Sequence, residues 1–454
     1  MTRARQLLVT AFATVALIVT AAPAVPGPDL SDYSWEPMFG SETSPIANDS
    51  IFALKVVGDD LYVGGSFTDF AGIAAADRIA RWSGADQEWQ ALEASGATNG
   101  SITSGTVKAI EVSGPNVYVG GDFWLTDYDL NARSNLALFA SDREKWYGFN
   151  GTTSNDAVSN GEVRTIFADE ADGVIYVGGS FTNGGDDPNA DFLMIGTYSA
   201  CVGVVGACAA EFPEVTVCGG VTITTCAVDV PNLWSAAGDD GSGGPALGGF
   251  VSSVSAHPDG GVIVSGNFGG AGGVTGANSI AHFEGPYMSP QVWNAQTGIP
   301  SVTMYPTANA GGDLFVAGWE GFYQRTTGAT WVERCAAALH IGGTQWTSLA
   351  VSADDLVFVG SLSFGVYACN PQTDSATQAV GSGSVNALAM YDGALIAAGG
   401  INMAGLPTAD FIARYSEPLP STNNDSRQTT DAIILLVTLT ALTALAGTQL
   451  LRRA

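Results

Sequence analysis

Basic side chains are scarce in this chain, and their scarcity excludes one broad class of function. The 454 residues include 16 Lys and Arg against 44 Asp and Glu, which gives a formal net charge of -28 at pH 7. The only lysines are Lys55, Lys108 and Lys145. A general nucleic-acid binder needs a basic face that neutralises phosphates, so that class is excluded. Such acidity is typical of a protein that stays soluble in an extracellular or saline medium.

The sequence motifs of common catalytic sites are also missing. The chain contains no Gly-x-Ser-x-Gly nucleophile elbow. A Tyr-Val-Gly-Gly-Ser stretch resembles a phosphate loop, but no helical pattern follows it, and phosphate binding of that kind needs a helix N-terminus. Charged residues make up only 13% of the chain, whereas 46% is hydrophobic. This composition indicates a globular β protein rather than a disordered one.

A short stretch that recurs along the chain predicts the fold. Residues 61–68 read Leu-Tyr-Val-Gly-Gly-Ser-Phe-Thr, and close copies stand at 117–123 and 175–182. Weaker copies stand at 263–268, 314–318, 357–361 and 395–400. Tyr and Val suit a pleated, half-buried strand, whereas Gly inside a strand indicates close approach of another backbone. Seven copies of a unit of about 40 to 60 residues predict a repeat architecture.

The fuller unit around each copy is typical of a propeller blade. In the first unit an apolar run at 51–57 precedes the repeated strand, and strands at 78–82 and 88–92 follow it, separated by Gly/Asp turns. Four short strands per unit predict an all-β, seven-bladed β-propeller over residues 33–415. A β-sandwich or a β-solenoid is the alternative. The blade-core glycines of the repeat are Gly64, Gly65, Gly120, Gly121, Gly178, Gly179, Gly266, Gly318, Gly360 and Gly399.

An isolated strand-like segment near the N-terminus predicts how the ring closes. Residues 33–40 resemble the closing Trp strand of a blade, yet no blade precedes them. The seventh unit stops at Tyr415 without such a strand. We therefore predict that the N-terminal strand completes blade seven, with Trp35 in the place that Trp89 holds in blade one. Pairing would remove an open sheet edge, which otherwise invites association.

The spacing of the repeat glycines predicts an insertion, and the spacing of the cysteines favours three disulfides. The interval from Gly179 to Gly266 exceeds the preceding interval by about 30 residues, which predicts an insertion at 199–230 in blade three. An even number of cysteines in an exported chain indicates disulfides. The short separations favour Cys201–Cys208 and Cys218–Cys226 inside the insertion, which leaves Cys335–Cys369 between blades five and six.

Metal and cofactor sites have little support in the sequence. His257, His282 and His340 are the only histidines; they are interpreted as lying in different blades, without the spacing of a metal site. Residues 127–131 begin like a calcium loop, but Ala132 and Leu138 replace the expected Gly and Glu. No cofactor is therefore expected, and an irregular calcium site is the alternative to a plain turn.

The two ends of the chain predict export and a membrane anchor. Residues 1–24 have the positive start, apolar core and Ala-x-Ala site of a signal peptide. A polar linker at 416–430 precedes an uncharged stretch at 432–451, which is long enough for a transmembrane helix. Flanking arginines favour a short cytoplasmic tail at 452–454. The expected protein is a single-pass type I membrane protein of the cell surface, with a processed lipid-anchor signal as the alternative.

Two kinds of modification signal lie in expected loops. Residues 419–423, Leu-Pro-Ser-Thr-Asn, resemble a sortase signal with Asn in place of Gly. N-x-Ser/Thr sequons, the sites of N-glycosylation in exported glycoproteins, begin at Asn48, Asn99, Asn150 and Asn424.

The repeat also carries a family resemblance. Its Tyr-Val-Gly-Gly-Ser-Phe-Thr, Ile-Ala-Arg-Trp and closing Trp strands are similar to those of kelch-like, galactose-oxidase-type β-propeller repeat proteins. In particular, residues 33–415 resemble the ectodomains of fungal bud-site cortical markers and related secreted bacterial propellers. The fungal markers are type I membrane proteins of polarity signalling, so the resemblance implies a similar membrane layout. The copper oxidase of the superfamily uses a Tyr–Cys pair and histidine ligands, which have no counterpart here.

Together these features predict a cell-surface propeller that binds an extracellular protein or glycan. Function in such a fold lies in the loops and the channel of a rigid scaffold. The alternative is an extracellular enzyme, a lyase or glycan hydrolase, with its site at the channel mouth. Inward-facing carboxylates about 5 to 10 Å apart would favour the enzyme, whereas a channel lined by small residues would favour binding.

Overall fold

The structure of the protein is a computed structural model. It describes residues 33–38, 45–93, 99–127, 130–149, 156–170, 173–197, 217–218, 221–222, 234–239, 241–284, 291–296, 298–299, 304–310, 312–319, 321–325, 330–380, 383–400 and 410–416. The predicted signal peptide, linker beyond Ser416, membrane helix and tail lie outside these ranges. Among the described residues, no helix has the length and apolar character needed to cross a membrane.

The described strands form seven four-stranded antiparallel sheets, which are the blades. Blade one contains β2 Ile51–Val57, β3 Asp60–Gly65, β4 Ile79–Ser83 and β5 Glu88–Gln90. Blade two contains β6 Ile102–Ser113, β7 Asn116–Thr126, β8 Ala132–Ala140 and β9 Lys145–Gly148. Blade three contains β10 Val163–Asp169, β11 Val174–Gly179, β12 Leu193–Thr197 and β15 Trp234–Ala236. Blade four contains β16 Phe250–Ala256, β17 Val262–Asn267, β18 Ile280–Glu284 and β19 Val292–Ala295.

The remaining blades follow the same order. Blade five contains β20 Met304–Ala310, β21 Asp313–Gly318, β22 Gly321–Arg325 and β23 Trp331–Glu333. Blade six contains β24 Trp346–Val351, β25 Val357–Ser361, β26 Gly365–Asn370 and β27 Ser375–Val380. Blade seven contains β28 Ser384–Tyr391, β29 Ala394–Gly400, β30 Ile412–Ser416 and β1 Ser34–Pro37. Elements outside the blades are β13 Val217–Cys218, β14 Val221–Thr222, the α-helix α1 Ala336–Leu339 and two 3-10 turns, Phe70–Gly72 and Gly184–Asp186.

The first strand of each blade contacts the first strand of the next, and β28 of blade seven contacts β2 of blade one. The innermost strands therefore surround a central channel. The apolar core lies between blades, because each cluster of buried side chains draws its members from neighbouring sheets. One such cluster joins Ile51 and Val63 of blade one to Ile396 and Ile412 of blade seven.

The repeated glycine pair has two separate physical causes. The first glycine faces the next blade: a Cβ added at Gly64 would lie 2.5 Å from Val107 Cγ1, closer than real Cβ contacts come. The same contact joins Gly120–Val163, Gly178–Val251 and Gly360–Val385. The second glycine faces the main chain of its own blade, since a Cβ at Gly65 would meet the Ser50 carbonyl. The same main-chain contact recurs at Gly121, Gly179, Gly266 and Gly399. In blade five, Gly318 pairs with Met304 at the equivalent position of the sheet.

The N-terminal strand β1 pairs antiparallel with β30, and Trp35 lies opposite Tyr415. The Trp35 Nε1 donates a hydrogen bond to the Ala379 carbonyl of blade six at 3.0 Å. Tryptophans in the fourth strands of other blades donate in the same way to the preceding blade: Trp146 to the Leu92 carbonyl at 2.7 Å and Trp293 to the Ala237 carbonyl at 2.8 Å. Trp35 therefore makes the interblade contact that is typical of a fourth-strand tryptophan.

Blade three takes its fourth strand from beyond the cysteine-containing segment. β12 pairs with β15, so Ile195 lies opposite Ser235. The segment between them is described only at the small hairpin of β13 and β14. The predicted pairs of Cys201, Cys208, Cys218 and Cys226 involve side chains outside the described part of the chain. Cys335 and Cys369 do form a disulfide, with their Cα atoms 6.1 Å apart.

Candidate ligand-binding cavity of the channel

Every innermost strand contains an irregularity at the same point of its pairing with the second strand. In blade one, Ile51 pairs with Gly65 and Ala53 with Gly64, so Phe52 is an extra, unpaired residue. A bulge of this kind bends a strand and turns one side chain in a new direction. The corresponding extra residues are Lys108, Arg164, Ser252, Thr347 and Asn386, and in blade five the register shifts between Met304 and Thr307.

The bulge residues line one cavity of about 370 Å³ in the channel. Its wall has three levels along the strands. The first level consists of the six bulge residues Phe52, Lys108, Arg164, Ser252, Thr347 and Asn386. The second consists of the small residues Ala53, Ala109, Thr165, Ser253, Ser348 and Ala387, and the third of the apolar residues Leu54, Ile110, Ile166, Leu349 and Leu388. A cavity of this size suits one small chemical group or the end of a chain.

Blades two and three supply the cationic side of the cavity. Lys108 and Arg164 both bind the carboxylate of Glu162; the Lys108 ammonium contacts Oε2, and the Arg164 guanidinium lies 2.5 Å from Oε1. The guanidinium also lies 4.3 Å from the centre of the Phe250 ring, a cation–π arrangement. Burial raises the pKa of Glu162, but the hydrogen bond from Lys108 and the charge of Arg164 outweigh it and hold the pKa below its usual value. Glu162 is therefore ionised at neutral pH, and its negative charge offsets one of the two cationic side chains.

Blades four, six and seven supply hydroxyl and amide groups. The hydroxyls of Ser252 and Ser348 are buried and have no hydrogen-bond partner among the described residues. Asn386, by contrast, donates through Nδ2 to the Ile51 carbonyl at 2.9 Å, and the Thr347 hydroxyl donates to the Val385 carbonyl. A buried hydroxyl without a partner is unfavourable, so Ser252 and Ser348 are the groups of this wall that a ligand or a water would satisfy.

A second ion pair lies farther along the same strands, outside the cavity wall. The Lys55 ammonium is 2.6 Å from Glu111 Oε1. Burial raises the pKa of Glu111, and the charge of Lys55 opposes that rise. No Asp or Glu is among the described residues that line the cavity. Glu111 of β6 and Glu162, which immediately precedes β10, are both engaged by cations. The facing carboxylate pair that the hydrolase alternative requires is therefore not seen in the described wall.

Three exposed aromatic side chains lie on the face that the bulges approach. In every blade except the second, the bulge of the inner strand pairs near the end of the second strand, where the connection to the third strand begins; in blade two, β7 continues beyond that point to Thr126. Trp124, Trp319 and Phe364 lie on or beside such connections, with exposed fractions of 57%, 44% and 38%. Exposed aromatics on one face are typical of interaction surfaces.

The histidines correct one sequence prediction. His257 and His282 lie in the same blade, not in different ones, and their rings stack at 3.6 Å between centres. His257 also begins the predicted turn, because its carbonyl accepts a hydrogen bond from the Gly260 N–H at 3.0 Å. Burial, together with the charges of His282 and Arg325, lowers the pKa of His257 to about 4. His340 is separate from them and contacts Glu333 at 2.8 Å.

The candidate calcium loop and the sequons are only partly described. The Asp127 carboxylate accepts hydrogen bonds from the Asn131 N–H at 2.8 Å and from Arg133 Nε at 2.9 Å. Residues 128 and 129 lie outside the described ranges, and within those ranges no group of three His, Cys, Asp or Glu side chains could hold a metal ion. Asn48 and Asn99 are exposed, although Asn48 Nδ2 also donates to Thr68 Oγ1 at 2.9 Å. Asn150 and Asn424 lie outside the description.

The sequence prediction did not identify the cavity residues. Phe52 and Arg164 each follow the buried β-branched residue that begins an inner strand, Ile51 or Val163, and Lys108 follows the buried Val107 inside β6. That position was available in the sequence, and two of the three lysines are in inner strands. The bulge that turns these side chains into the channel, however, depends on pairing with the glycine strand and has no separate sequence signal.

Comparison with known proteins assigns neither a family nor a function to this chain. No family model and no curated protein matches the sequence. Among solved structures, YCF48 bound to D1 peptide is 9% identical, with 87% of this chain and 100% of that chain covered and a TM-score of 0.48. Virginiamycin B lyase from Staphylococcus aureus is 8% identical, with 85% and 99% covered and a TM-score of 0.47.

An extracellular domain assigned to a one-component system of B. thetaiotaomicron is 10% identical, with a TM-score of 0.47. The match covers 85% of this chain but only 40% of that one. Likenesses at these identities and TM-scores carry no argument about function. The fold follows from the sheets themselves: the chain is a seven-bladed β-propeller.

Proposed function

We propose that this protein is an exported, membrane-anchored propeller that binds a glycan through the channel cavity and the face around it. The observation that carries the proposal is the bulge in each inner strand. A repeated bulge turns side chains of six blades toward one cavity, and two buried hydroxyls in its wall have no protein partner among the described residues. A site with convergent polar groups and a small volume suits a compact, hydroxyl-rich ligand.

The proposed location at the cell surface rests on one feature of the structure and on both ends of the sequence. A disulfide between Cys335 and Cys369 is typical of proteins from oxidising compartments. The signal peptide at 1–24 and the apolar stretch at 432–451 agree with export and anchoring. The same layout supports the proposed kinship with kelch-like ectodomains, and glycosylation at Asn48 and Asn99 belongs to the same proposal.

A glycan array tests the proposal when it is read with a variant that fills the cavity. Ser252→Trp places an indole in the wall, and Thr377→Trp places the same side chain at an exposed site of the outermost strand of blade six. We expect the full-length protein and Thr377→Trp to bind the same glycans, and Ser252→Trp to lose them while it melts at an unchanged temperature. If both variants bind the glycans equally well, the binding site lies outside the channel cavity.

The enzyme alternative is tested with the same bound glycans. After incubation with the protein, each glycan is analysed by mass spectrometry for shortened or unsaturated products. Intact glycans agree with a binding module. Products that are absent from the Ser252→Trp sample would support a lyase or hydrolase at the channel mouth instead.

A further inference from the structure

The two sides of the cavity differ in chemistry, and this difference bears on the class of sugar. Lys108 and Arg164 are adjacent bulge residues of blades two and three. The equivalent positions in blades four, six and seven are Ser252, Thr347 and Asn386, which are neutral. In a chain of net charge -28, this cavity therefore contains two cations on one side and none in the described wall of the other.

The cationic pair has more donors than its internal partner can accept. An ammonium has three N–H donors and a guanidinium five, whereas one carboxylate has about four lone-pair sites. Glu162 neutralises one of the two charges and holds both side chains in place, and the Phe250 ring supports the guanidinium from its face. The pair is thus preorganised, with charge and donors in excess for a second carboxylate.

The neutral side offers hydroxyls in place of charge. Ser252 and Ser348 are buried in the wall without a protein partner among the described residues. Each hydroxyl is able to donate one hydrogen bond and to accept others, which suits the hydroxyls of a sugar ring. Phe52, the bulge residue of blade one, adds an aromatic side chain to the same wall.

From this arrangement we propose that the cavity selects an acidic sugar, with the carboxylate of a hexuronate residue between Lys108 and Arg164 and its ring hydroxyls on Ser252 and Ser348. This inference rests on the proposed glycan-binding function and narrows its ligand class. The size of the cavity, about 370 Å³, suits one such residue at the end of a chain. A carboxylate-bearing peptide is the competing ligand, and the hydroxyl-rich wall disfavours it.

The test compares sugars that differ only at one carbon. Methyl glycosides of glucuronate, galacturonate and mannuronate are titrated into the full-length protein beside the neutral glucoside, galactoside and mannoside. We expect at least one hexuronide to bind roughly tenfold or more tightly than its neutral counterpart, as charge-assisted hydrogen bonds imply. The difference should shrink as salt screens the charges.

Variants separate charge from hydroxyl recognition. Lys108→Met should reduce hexuronide affinity about tenfold and leave the neutral sugar unchanged, whereas the control Lys55→Met, which removes a channel lysine outside the cavity wall, should change neither. Ser252→Ala and Ser348→Ala should each weaken hexuronide binding about threefold to tenfold without lowering the melting temperature, because the hydroxyls have no described protein partner to lose. A merely structural role would change the melting temperature instead.

Each contrary result identifies the step that fails. Equal affinity for hexuronide and neutral sugar would overturn the charge selection and leave the glycan-binding function standing. Competition by acetate or by hexaglutamate as strong as by the hexuronide, with no effect of the serine variants, would overturn the sugar and favour a carboxylate peptide. If no hexuronide binds while the array shows neutral glycans bound at the cavity, the acidic class is wrong; if the array is also blank, the proposed function fails with it.

Discussion

Removal of the Trp35 side chain should destabilise the propeller, because this residue of β1 connects both ends of the chain. Trp35 is half-buried; its ring lies 4.8 Å from that of Tyr415, and its Nε1 donates to the Ala379 carbonyl. Full truncation of a buried Trp costs about 3–5 kcal/mol, and half burial reduces this to about 2 kcal/mol. The lost hydrogen bond adds about 1 kcal/mol. We therefore expect Trp35→Ala to lower the unfolding free energy by about 2–3 kcal/mol.

The assay is thermal and urea unfolding of the full-length variant, with two tryptophan controls. A chain of this size should lose a few degrees in Tm for that change in free energy. Trp124→Ala removes a ring that is 57% exposed and should cost less than about 0.5 kcal/mol. Trp146→Ala removes the equivalent fourth-strand ring of blade two, which is only 2% exposed, and should cost about 3–5 kcal/mol.

Two outcomes would refute the proposed ring closure by β1. The first is a melting temperature of Trp35→Ala that equals that of Trp124→Ala, instead of lying between the melting temperatures of the two controls. The second comes from hydrogen exchange. If closure stabilises the whole ring, protection should fall in blades one and six as well as in blade seven, whereas a frayed end would lose protection in β1 and β30 alone.

Three further predictions concern packing, pH and the disulfide. Gly64→Ala should cost about 1–3 kcal/mol through its contact with Val107, and Val107→Ala in the same chain should recover part of that cost in a double-mutant cycle of urea unfolding; additive costs would contradict the contact. Because burial lowers the pKa of His257 from 6.5 to about 4, the unfolded state binds the proton first, so up to about 3 kcal/mol of stability should be lost as pH falls from 6.5 to 4. His257→Gln should flatten that part of the stability–pH curve, and an unchanged slope would show that other groups cause it. Replacing both Cys335 and Cys369 by Ser opens a loop of 34 residues and should cost about 4 kcal/mol in the chain-entropy model, measured as a lower urea midpoint under non-reducing conditions; an unchanged midpoint would contradict it.

The blades could be read from the sequence because their signal is local and repeated. Tyr62, Val63 and the glycine pair recur with the same neighbours. A pattern that recurs in several units does not depend on a chance similarity in any one of them. The same repetition predicted the role of β1, because its sequence resembles the fourth strand of the repeating unit but no blade precedes it. Trp35 then lies opposite Tyr415, as the missing strand of blade seven requires.

The candidate site could not be read in the same way, because it depends on contacts between units. Lys108 and Arg164 are 56 residues apart in the sequence and meet at Glu162 only when two blades pack side by side. The two stacked histidines are likewise separated in the sequence by a turn, the strand β17 and the connection to β18, so their contact follows from the register of β17 with β18. The bulge residues recur at one position of six blades but differ in chemical type, so the cavity wall emerges only with the pairing of the strands.

The most direct test of glycan binding in the channel is a crystal structure of the protein with the glycan that binds most strongly on the array. We expect density for a sugar residue inside the channel cavity, in contact with the bulge residues. An acidic residue should lie between Lys108 and Arg164, with ring hydroxyls near Ser252 and Ser348. Density confined to the outer strands or to the opposite end of the channel, with the cavity filled by water, would contradict glycan binding at the bulge residues.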